Sequence, residues 1–229
     1  MPSTKFLFWN IGRKSLAHLV SDLAEEHGVD VVVLAECAIE PATMLPALNR
    51  REAAFHFPFS GEQGIAIYTR FSPDFLKPVR ESERFSIRTL ALPNLPPIVL
   101  AAVHFPSKRY WSAESQASEC FELGKAIEQV EKDVGYRRTI LVGDFNMNPF
   151  ETGIVSSGGL NSVMSRRIAS RVSRTVQGRD YHFLYNPMWS HFGDARADTA
   201  GSYYYDAGQH VNLEPMGGLT GGSARTICQ

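Results

Sequence analysis

The residues of this 229-residue chain best suited to chemistry lie in the stretch RRTILVGDFNMNPFE, residues 137–151. An apolar run at residues 139–142 ends there in Gly-Asp-Phe-Asn, the pattern of a buried strand that carries polar groups at its tip. Side chains alternate along a strand, so Asp144 and Asn146 are predicted to point to the same side. A carboxylate and an amide are groups that bind metal and phosphate. The alternative, that Asp144, Asn146 and Asn148 only form a turn, stays open because Asp and Asn are common in loops.

Other apolar segments of the chain also end in a polar residue. Asn10 follows the run FLFW, Glu36 follows VVVLA, and His104 follows IVLAAV. Each has an ordinary explanation when it is taken singly, because Asn forms turns, Glu after a strand is solvated, and His caps or packs. The four strand ends carry more weight together, because carboxylate, amide and imidazole groups would then meet in one place.

The surrounding sequence predicts the elements that position these residues. Helices are expected at residues 15–27, 41–50 and 112–134, with Ser112 as the N-cap of the last. Strands are expected at residues 5–9, 31–35, 55–59, 64–68, 84–92, 97–104 and 139–142, and strand-like sequence returns at 181–189 and 201–205. Several strands follow one another without a helix between them, which predicts an antiparallel meander rather than a doubly wound parallel sheet.

Composition sets the broad class. Hydrophobic residues make up 44% of the chain and charged residues 21%, as in soluble globular proteins, and the length suits a single domain over residues 1–229. We expect a cytoplasmic protein, because we find neither an apolar run long enough for a membrane nor a secretory signal. Three widely spaced cysteines argue against disulfides and a zinc site. The net charge of −1 argues against a broadly basic nucleic-acid-wrapping surface and leaves room for a local one.

One local basic run is present. No acidic residue occurs between Asn161 and Arg179. The basic residues of this run are Arg166, Arg167, Arg171, Arg174 and Arg179. Two interpretations stay open, a solvated helix or mobile loop and a loop that contacts phosphate.

The order of the strand ends, WNIG, LAE, VHFPSK and GDFNMNP, resembles the endonuclease/exonuclease/phosphatase superfamily. The resemblance extends from Lys5 to about Tyr205. It implies an α/β fold like that of DNase I, a four-layer sandwich of two facing mixed β-sheets flanked by helices. The active site of that fold lies in the groove where the strand ends meet.

The resemblance also implies a role for each strand-end residue. Glu36 would bind a divalent ion, Mg²⁺ or Mn²⁺, and Asn10 beside it would help to hold metal or phosphate. Asp144 would position or activate the attacking water. Asn146 would donate its amide to a phosphoryl oxygen, and His104 would hydrogen-bond the same phosphate.

The implied substrate is a phosphodiester, either nucleic acid or a small phosphate ester. Arg88, Lys108 and Arg109 are expected by their positions to supply positive charge at the rim of the site. No membrane partner is expected, and the oligomeric state is left open.

The sequence departs from the family pattern after Tyr205. Residues 201–205 resemble the GTYYY-type strand of the family, but the Ser-Asp-His element that should follow is absent, and His210 and Asp206 match neither its spacing nor its context. We therefore expect a truncated or altered carboxyl end without its closing strand, a poorly ordered tail at residues 211–229, and very slow or no hydrolysis. Two other readings stay open, a non-catalytic phosphate- or nucleic-acid-binding protein and a structural domain with ordinary caps.

Overall fold

Most of the strands predicted from apolar runs form two sheets, whereas the described part of the predicted strand at 55–59 makes only an isolated bridge from His56 to Thr69. The computed structural model describes residues 4–51, 54–58 and 64–191. Contacts divide the chain into two units, Met1–Phe105 with Lys125–Phe145, and Pro106–Gly124 with Asn146–Gln229. The expectation of a single domain stays a prediction. The predicted strand at 201–205, His210 and the predicted tail at 211–229 lie outside the described residues.

A three-stranded sheet in the first unit carries two of the strand ends. It consists of β1 (Phe6–Asn10), β2 (Val31–Ala35) and β3 (Ile65–Thr69), in that order. Strand β1 runs parallel to β2, and β3 runs antiparallel to β2. All five residues of β2 are buried, as expected for a central strand of β-branched and apolar residues.

A four-stranded sheet in the same unit carries the other two strand ends. Its order is β4 (Leu76–Glu81), β5 (Phe85–Leu90), β6 (Ile98–His104) and β7 (Thr139–Asp144). Strands β4, β5 and β6 form an antiparallel meander, and β7 adds in parallel to β6. Strand β4 was not predicted, and the predicted strand at 64–68 belongs, as β3, to the three-stranded sheet instead of this meander. Because β6 and β7 are parallel and in register, their carboxyl ends meet at one edge.

Three longer helices confirm the helical predictions. They are α1 (Ala17–Glu26), α2 (Pro41–Leu48) and α3 (Ala113–Val134). Ser112 is the N-cap of α3, since the backbone N–H of Ser115 donates to its Oγ at 3.2 Å. No helix within residues 4–51, 54–58 and 64–191 has the length and apolar character that a membrane span requires.

The two sheets face each other across an apolar core. Val33 and Ile67 of the three-stranded sheet pack with Leu100 and Val142 of the four-stranded sheet. A second cluster joins the other face of the three-stranded sheet to α1 and α2, for example through Val20. Two facing mixed sheets with helices are the fold class predicted from the sequence.

The second unit contains the first half of α3 and a set of short elements. These are α4 (Thr152–Val155), β8 (Ser162–Val163), α5 (Arg166–Ala169), β9 (Ser173–Val176), β10 (Arg179–His182) and β11 (Leu184–Tyr185). Strands β9 and β10 form an antiparallel hairpin, and β8 pairs in parallel with β11. The basic run therefore includes one helical turn and a hairpin.

Candidate active site

The four strand ends predicted to carry chemistry meet within the first unit. Asn10 is the last residue of β1 and pairs in register with Ala35, so Glu36 follows directly beside it. His104 and Asp144 form the last registered pair of β6 and β7. Parallel strand pairs thus bring one amide, one imidazole and two carboxylates to strand ends of facing sheets.

The Asn10 side chain joins the two sheets. Its Nδ2 donates to Glu36 Oε1 at 3.0 Å and to Asp144 Oδ2 at 2.8 Å. His104 Nε2 lies 3.4 Å from the same Glu36 Oε1. The structure therefore brings Asn10, Glu36, His104 and Asp144 into one polar cluster, which we call the strand-end cluster.

The backbone at Glu36 adopts a conformation that is uncommon for a residue with a side chain. Its φ is +48°, in the left-handed region. The Glu36 N–H donates to Gly64 O at 3.1 Å, and Glu36 O accepts from the Arg13 N–H at 2.8 Å. Such strain persists where surrounding contacts hold it, and it is frequent at functional sites.

The oxygen of Asn10 is already engaged. Asn10 Oδ1 accepts a hydrogen bond from the Gly12 N–H at 3.0 Å, which fixes the amide so that its nitrogen faces Glu36 and Asp144. That Asn10 helps to hold metal or phosphate stays a prediction. In this structure the residue orients the two carboxylates.

The carboxylate of Glu36 fits a hard divalent cation. Its side chain is 35% exposed, and within the described part of the chain only Oε1 accepts a hydrogen bond, so Oε2 is open to a cation. The same residues contain no group of three or more His, Cys, Asp or Glu side chains arranged as a metal site. Mg²⁺ keeps several waters and is commonly bound through one or two carboxylates, so Glu36 with Asp144 nearby is a sufficient protein contribution.

A family model for the endonuclease/exonuclease/phosphatase family matches residues 7–210. The chain belongs to this family. The predicted resemblance is thereby confirmed. A search of curated protein sequences found no match to this chain.

Several solved structures are similar to this chain at low sequence identity. The human nocturnin catalytic domain with bound sulfate superposes with a TM-score of 0.51 and 18% identity, over 68% of this chain and 70% of that one. Truncated TDP2 of Caenorhabditis elegans gives a TM-score of 0.47 and 16% identity over 64% and 63% of the two chains. A Staphylococcus aureus beta toxin mutant with bound magnesium ions gives 0.49 and 14% over 65% and 67%.

Asn146, the last residue of the GDFN pattern, lies after β7 and not within it. Strand β7 ends at Asp144, and Asn146 has a φ of +51°. The strand alternation therefore does not reach Asn146, and the premise that it points to the same side as Asp144 by strand periodicity is wrong. Asn148 is part of a turn, since its N–H donates to Glu151 Oε1 at 2.8 Å.

A buried glutamine of the second unit, Gln116, was not predicted from the sequence to have a role near the site. Gln116 Nε2 donates to Pro106 O at 2.9 Å and to Asn146 O at 3.1 Å. The chain reaches Pro106 two residues after His104 and Asn146 two residues after Asp144, so one side chain ties together the segments that follow β6 and β7. Its role could have been predicted from its position four residues before Cys120, which places this polar side chain on the buried face of α3.

Arg88 does not lie at the rim of a site. Its side chain is fully buried in β5, where Nε donates to Ser86 Oγ at 3.1 Å and the guanidinium pairs with Glu81 at 3.1 Å. Burial lowers the pKa of Arg88, and Glu81 opposes that shift. Arg88 shares a strand face with Leu90, which packs in the core between the sheets. The expectation of a rim charge at this position therefore disagrees with the structure.

Lys108 and Arg109 lie on the surface of the second unit. Both are exposed. Lys108 forms an ion pair with Glu151, which offsets its charge, and the Arg109 guanidinium lies 5.6 Å from the ring centre of Tyr110. Of the three residues expected to carry positive charge to a substrate, only these two are accessible.

Proposed function

We propose that this chain is a divalent-metal-dependent phosphodiesterase of the endonuclease/exonuclease/phosphatase family, acting at the strand-end cluster. The observation that carries the proposal is the Asn10 amide, which bridges the carboxylates of Glu36 and Asp144 at 3.0 Å and 2.8 Å. Two carboxylates held by one donor, with an imidazole beside them, suit phosphoryl transfer better than a structural role. A purely structural pair of carboxylates gains nothing from being placed together at a strand edge.

The residues of the cluster divide the work of hydrolysis. Glu36 would hold Mg²⁺ or Mn²⁺ through its open oxygen, and the ion would offset the charge on the phosphoryl oxygens. Asp144 accepts a proton from the attacking water, and the Asn10 N–H keeps its carboxylate in a fixed orientation. His104 Nε2 hydrogen-bonds a phosphoryl oxygen that binds next to Glu36.

The substrate contacts outside the cluster are proposed for residues that follow β6 and β7. The Asn146 amide donates to a non-bridging oxygen of the phosphate. Lys108 and Arg109 contribute positive charge, with Arg109 the stronger contributor because Glu151 already pairs with Lys108. The substrate is a phosphodiester, and nucleic acid is the class that we favour.

We expect hydrolysis to be slow. The sequence after Tyr205 carries no Ser-Asp-His element, and general acid–base help is worth about 10²- to 10⁴-fold in rate. This feature also supports a second candidate function, a protein that binds metal and phosphate esters at the strand-end cluster without turning them over.

Hydrolysis of bis(p-nitrophenyl) phosphate in Mg²⁺ and in EDTA tests the proposal. The expected result is a slow Mg²⁺-dependent rate that is lost in Asp144→Asn and in His104→Ala, while thermal unfolding shows that both variants fold. Asp74→Asn removes an exposed carboxylate from the same unit and should leave the rate unchanged. Binding of metal and phosphodiester without turnover would favour the second candidate, and the absence of both kinds of binding would contradict both functions.

A further inference from the structure

The basic run of the second unit forms a charged surface of its own. Its five arginines are all exposed: Arg166, Arg167, Arg171, Arg174 and Arg179. We call these side chains the basic surface. The whole chain has a net charge of −1, so this concentration of positive charge is a local feature.

The hairpin of β9 and β10 separates basic from acidic side chains. Its two-residue turn has φ values of +50° at Gln177 and +75° at Gly178, as in a tight turn that fixes the register. Arg174 lies opposite Tyr181 and shares its face with Arg179, because side chains alternate along each strand. The opposite face carries Asp180, which accepts a hydrogen bond from Thr175.

Four of the five arginines of the basic surface have no carboxylate partner among the described residues. Within the described part of the chain, Arg166, Arg167, Arg171 and Arg174 form no ion pair. Arg174 donates to the neutral carbonyl of Val155 at 3.0 Å, and Arg166 donates to the hydroxyl of Tyr185 at 3.3 Å. These partners orient the guanidinium groups and leave their positive charge in place.

Three of the arginines lie over aromatic rings. The guanidinium of Arg179 is 5.2 Å from the ring centre of Tyr181, that of Arg174 is 6.0 Å from Phe183, and that of Arg166 is 5.4 Å from Tyr185. The three rings belong to every second residue of the segment that begins in β10 and ends in β11.

Single-stranded nucleic acid matches such pairs of an arginine and an aromatic ring. Unpaired bases stack on aromatic rings and on guanidinium planes, while the phosphates require positive charge along the backbone. Pairs of an arginine and an aromatic ring offer both kinds of contact. Exposed aliphatic residues nearby, such as Met164 and Val172, would suit an anionic membrane instead, but they do not account for the rings under the arginines.

We propose that the basic surface binds single-stranded nucleic acid. The arginines contact phosphates, and their planar guanidinium groups, supported by the rings of Tyr181, Phe183 and Tyr185, stack against bases. This inference names single-stranded nucleic acid as the substrate class of the phosphodiesterase, and in that respect it rests on the proposed function. Binding to the basic surface needs neither metal nor turnover.

Fluorescence anisotropy with a labelled 20-nucleotide oligothymidine tests the proposal on the full chain in EDTA. We expect binding that weakens with salt, and the variant Arg166→Ser/Arg167→Ser/Arg171→Ser should reduce the slope of log affinity against log salt by about 2, at about 0.7 per lost contact. The variant Lys77→Ser/Arg80→Ser/Arg137→Ser removes the same charge from exposed positions outside the basic surface and should keep the parent slope.

A second variant separates charge from stacking. Arg166→Lys/Arg179→Lys keeps the charge and removes two planar groups, so we expect weaker binding with the salt slope retained. A duplex of the same length should compete at least about tenfold less well, because its bases are already stacked.

Several results would overturn the proposal. They are binding that is insensitive to salt, an equal loss in both triple variants, equal competition by duplex, and binding to phosphatidylserine vesicles without binding to the oligonucleotide. Oligonucleotide binding without any phosphodiester hydrolysis would leave this inference standing and contradict the proposed enzyme. Hydrolysis of bis(p-nitrophenyl) phosphate without oligonucleotide binding would support the proposed enzyme and overturn this inference.

Discussion

Asn10 is the residue on which the geometry of the strand-end cluster depends. Its two N–H groups reach one carboxylate from each sheet, and its oxygen is held by Gly12. Because carboxylates repel each other, a shared donor helps to hold Glu36 and Asp144 close together. Replacing this side chain therefore affects both carboxylates at once.

Asn10→Ala should lose Mn²⁺ binding and any hydrolysis, and it should lower the free energy of unfolding by about 1–3 kcal/mol through the lost hydrogen bonds. Calorimetry and chemical denaturation measure the two effects. Asn49→Ala is the matched control, since Asn49 is also half-buried and exchanges hydrogen bonds with the Phe55 backbone. It should cost similar stability and keep metal binding. Parent-like Mn²⁺ affinity in Asn10→Ala would contradict the role given to this residue.

Gln116 has a comparable position in the second unit. Gln116→Leu keeps the side-chain bulk and removes the donor to Pro106 O and Asn146 O, so it should destabilise the protein by about 1–3 kcal/mol. Gln129→Leu on the exposed side of α3 serves as control and should change the free energy of unfolding by less than about 0.5 kcal/mol. Urea denaturation that gives the same midpoint for both variants would show that the buried donor is not needed.

The sequence predicts the location of a site residue best where backbone periodicity alone decides that location. Glu36 and Asp144 could be placed because each comes at the end of a continuous apolar strand. Arg88 could not, because a charged residue within a strand gives no sign that a partner such as Glu81 lies buried with it. Asn146 was misplaced because strand alternation was extended past the end of β7.

At the scale of elements, the pairing of β6 with β7 positions two of the four site residues. Gly143 lies directly opposite Val103, one residue before the pair of His104 and Asp144. Its φ is +156°, and a Cβ added there would lie 2.0 Å from the Val103 carbonyl oxygen. Only glycine lets the two strands approach this closely. The position of Asp144, the second residue of the GDFN pattern, therefore depends on Gly143, the first.

Gly143→Ala should separate the ends of β6 and β7 and lower the free energy of unfolding by about 1–3 kcal/mol, as overpacking does in well-packed interiors. Metal binding and hydrolysis should fall with it, because Asp144 moves away from Asn10. Gly64→Ala is the control, since no atom of the described residues lies within 4 Å of its added Cβ and its backbone is not in the left-handed region. Equal thermal midpoints for both variants would argue against a close approach at Gly143.

Elements were predictable where they bury an apolar face. The strands β1, β2, β6 and β7 and the helices α1 and α3 match their predictions because their sequences repeat with the period of a strand or a helix. The hairpin of β9 and β10 was not predicted as one. Its residues are polar on both faces, so turn geometry rather than burial sets its register, and that signal is weak in a single sequence.

For the whole molecule, overall composition predicts less about function than the positions of the charged residues along the chain do. A net charge of −1 hides a cluster of exposed arginines in one unit and a cluster of carboxylates in the other. The fold class and the family followed from the order of the strand ends along the chain. The roles of individual residues depend on three-dimensional contacts, such as the amide of Asn10 between two carboxylates, that no one-dimensional pattern records.

We propose the strand-end cluster as a divalent-metal site for phosphodiester chemistry. Calorimetric titration of Mn²⁺ into the parent chain, Glu36→Gln and Glu40→Gln tests it most directly, because Glu40 is an exposed carboxylate four residues away. We predict one bound ion per chain for the parent and for Glu40→Gln, and none for Glu36→Gln. Unchanged Mn²⁺ affinity in Glu36→Gln would contradict the account.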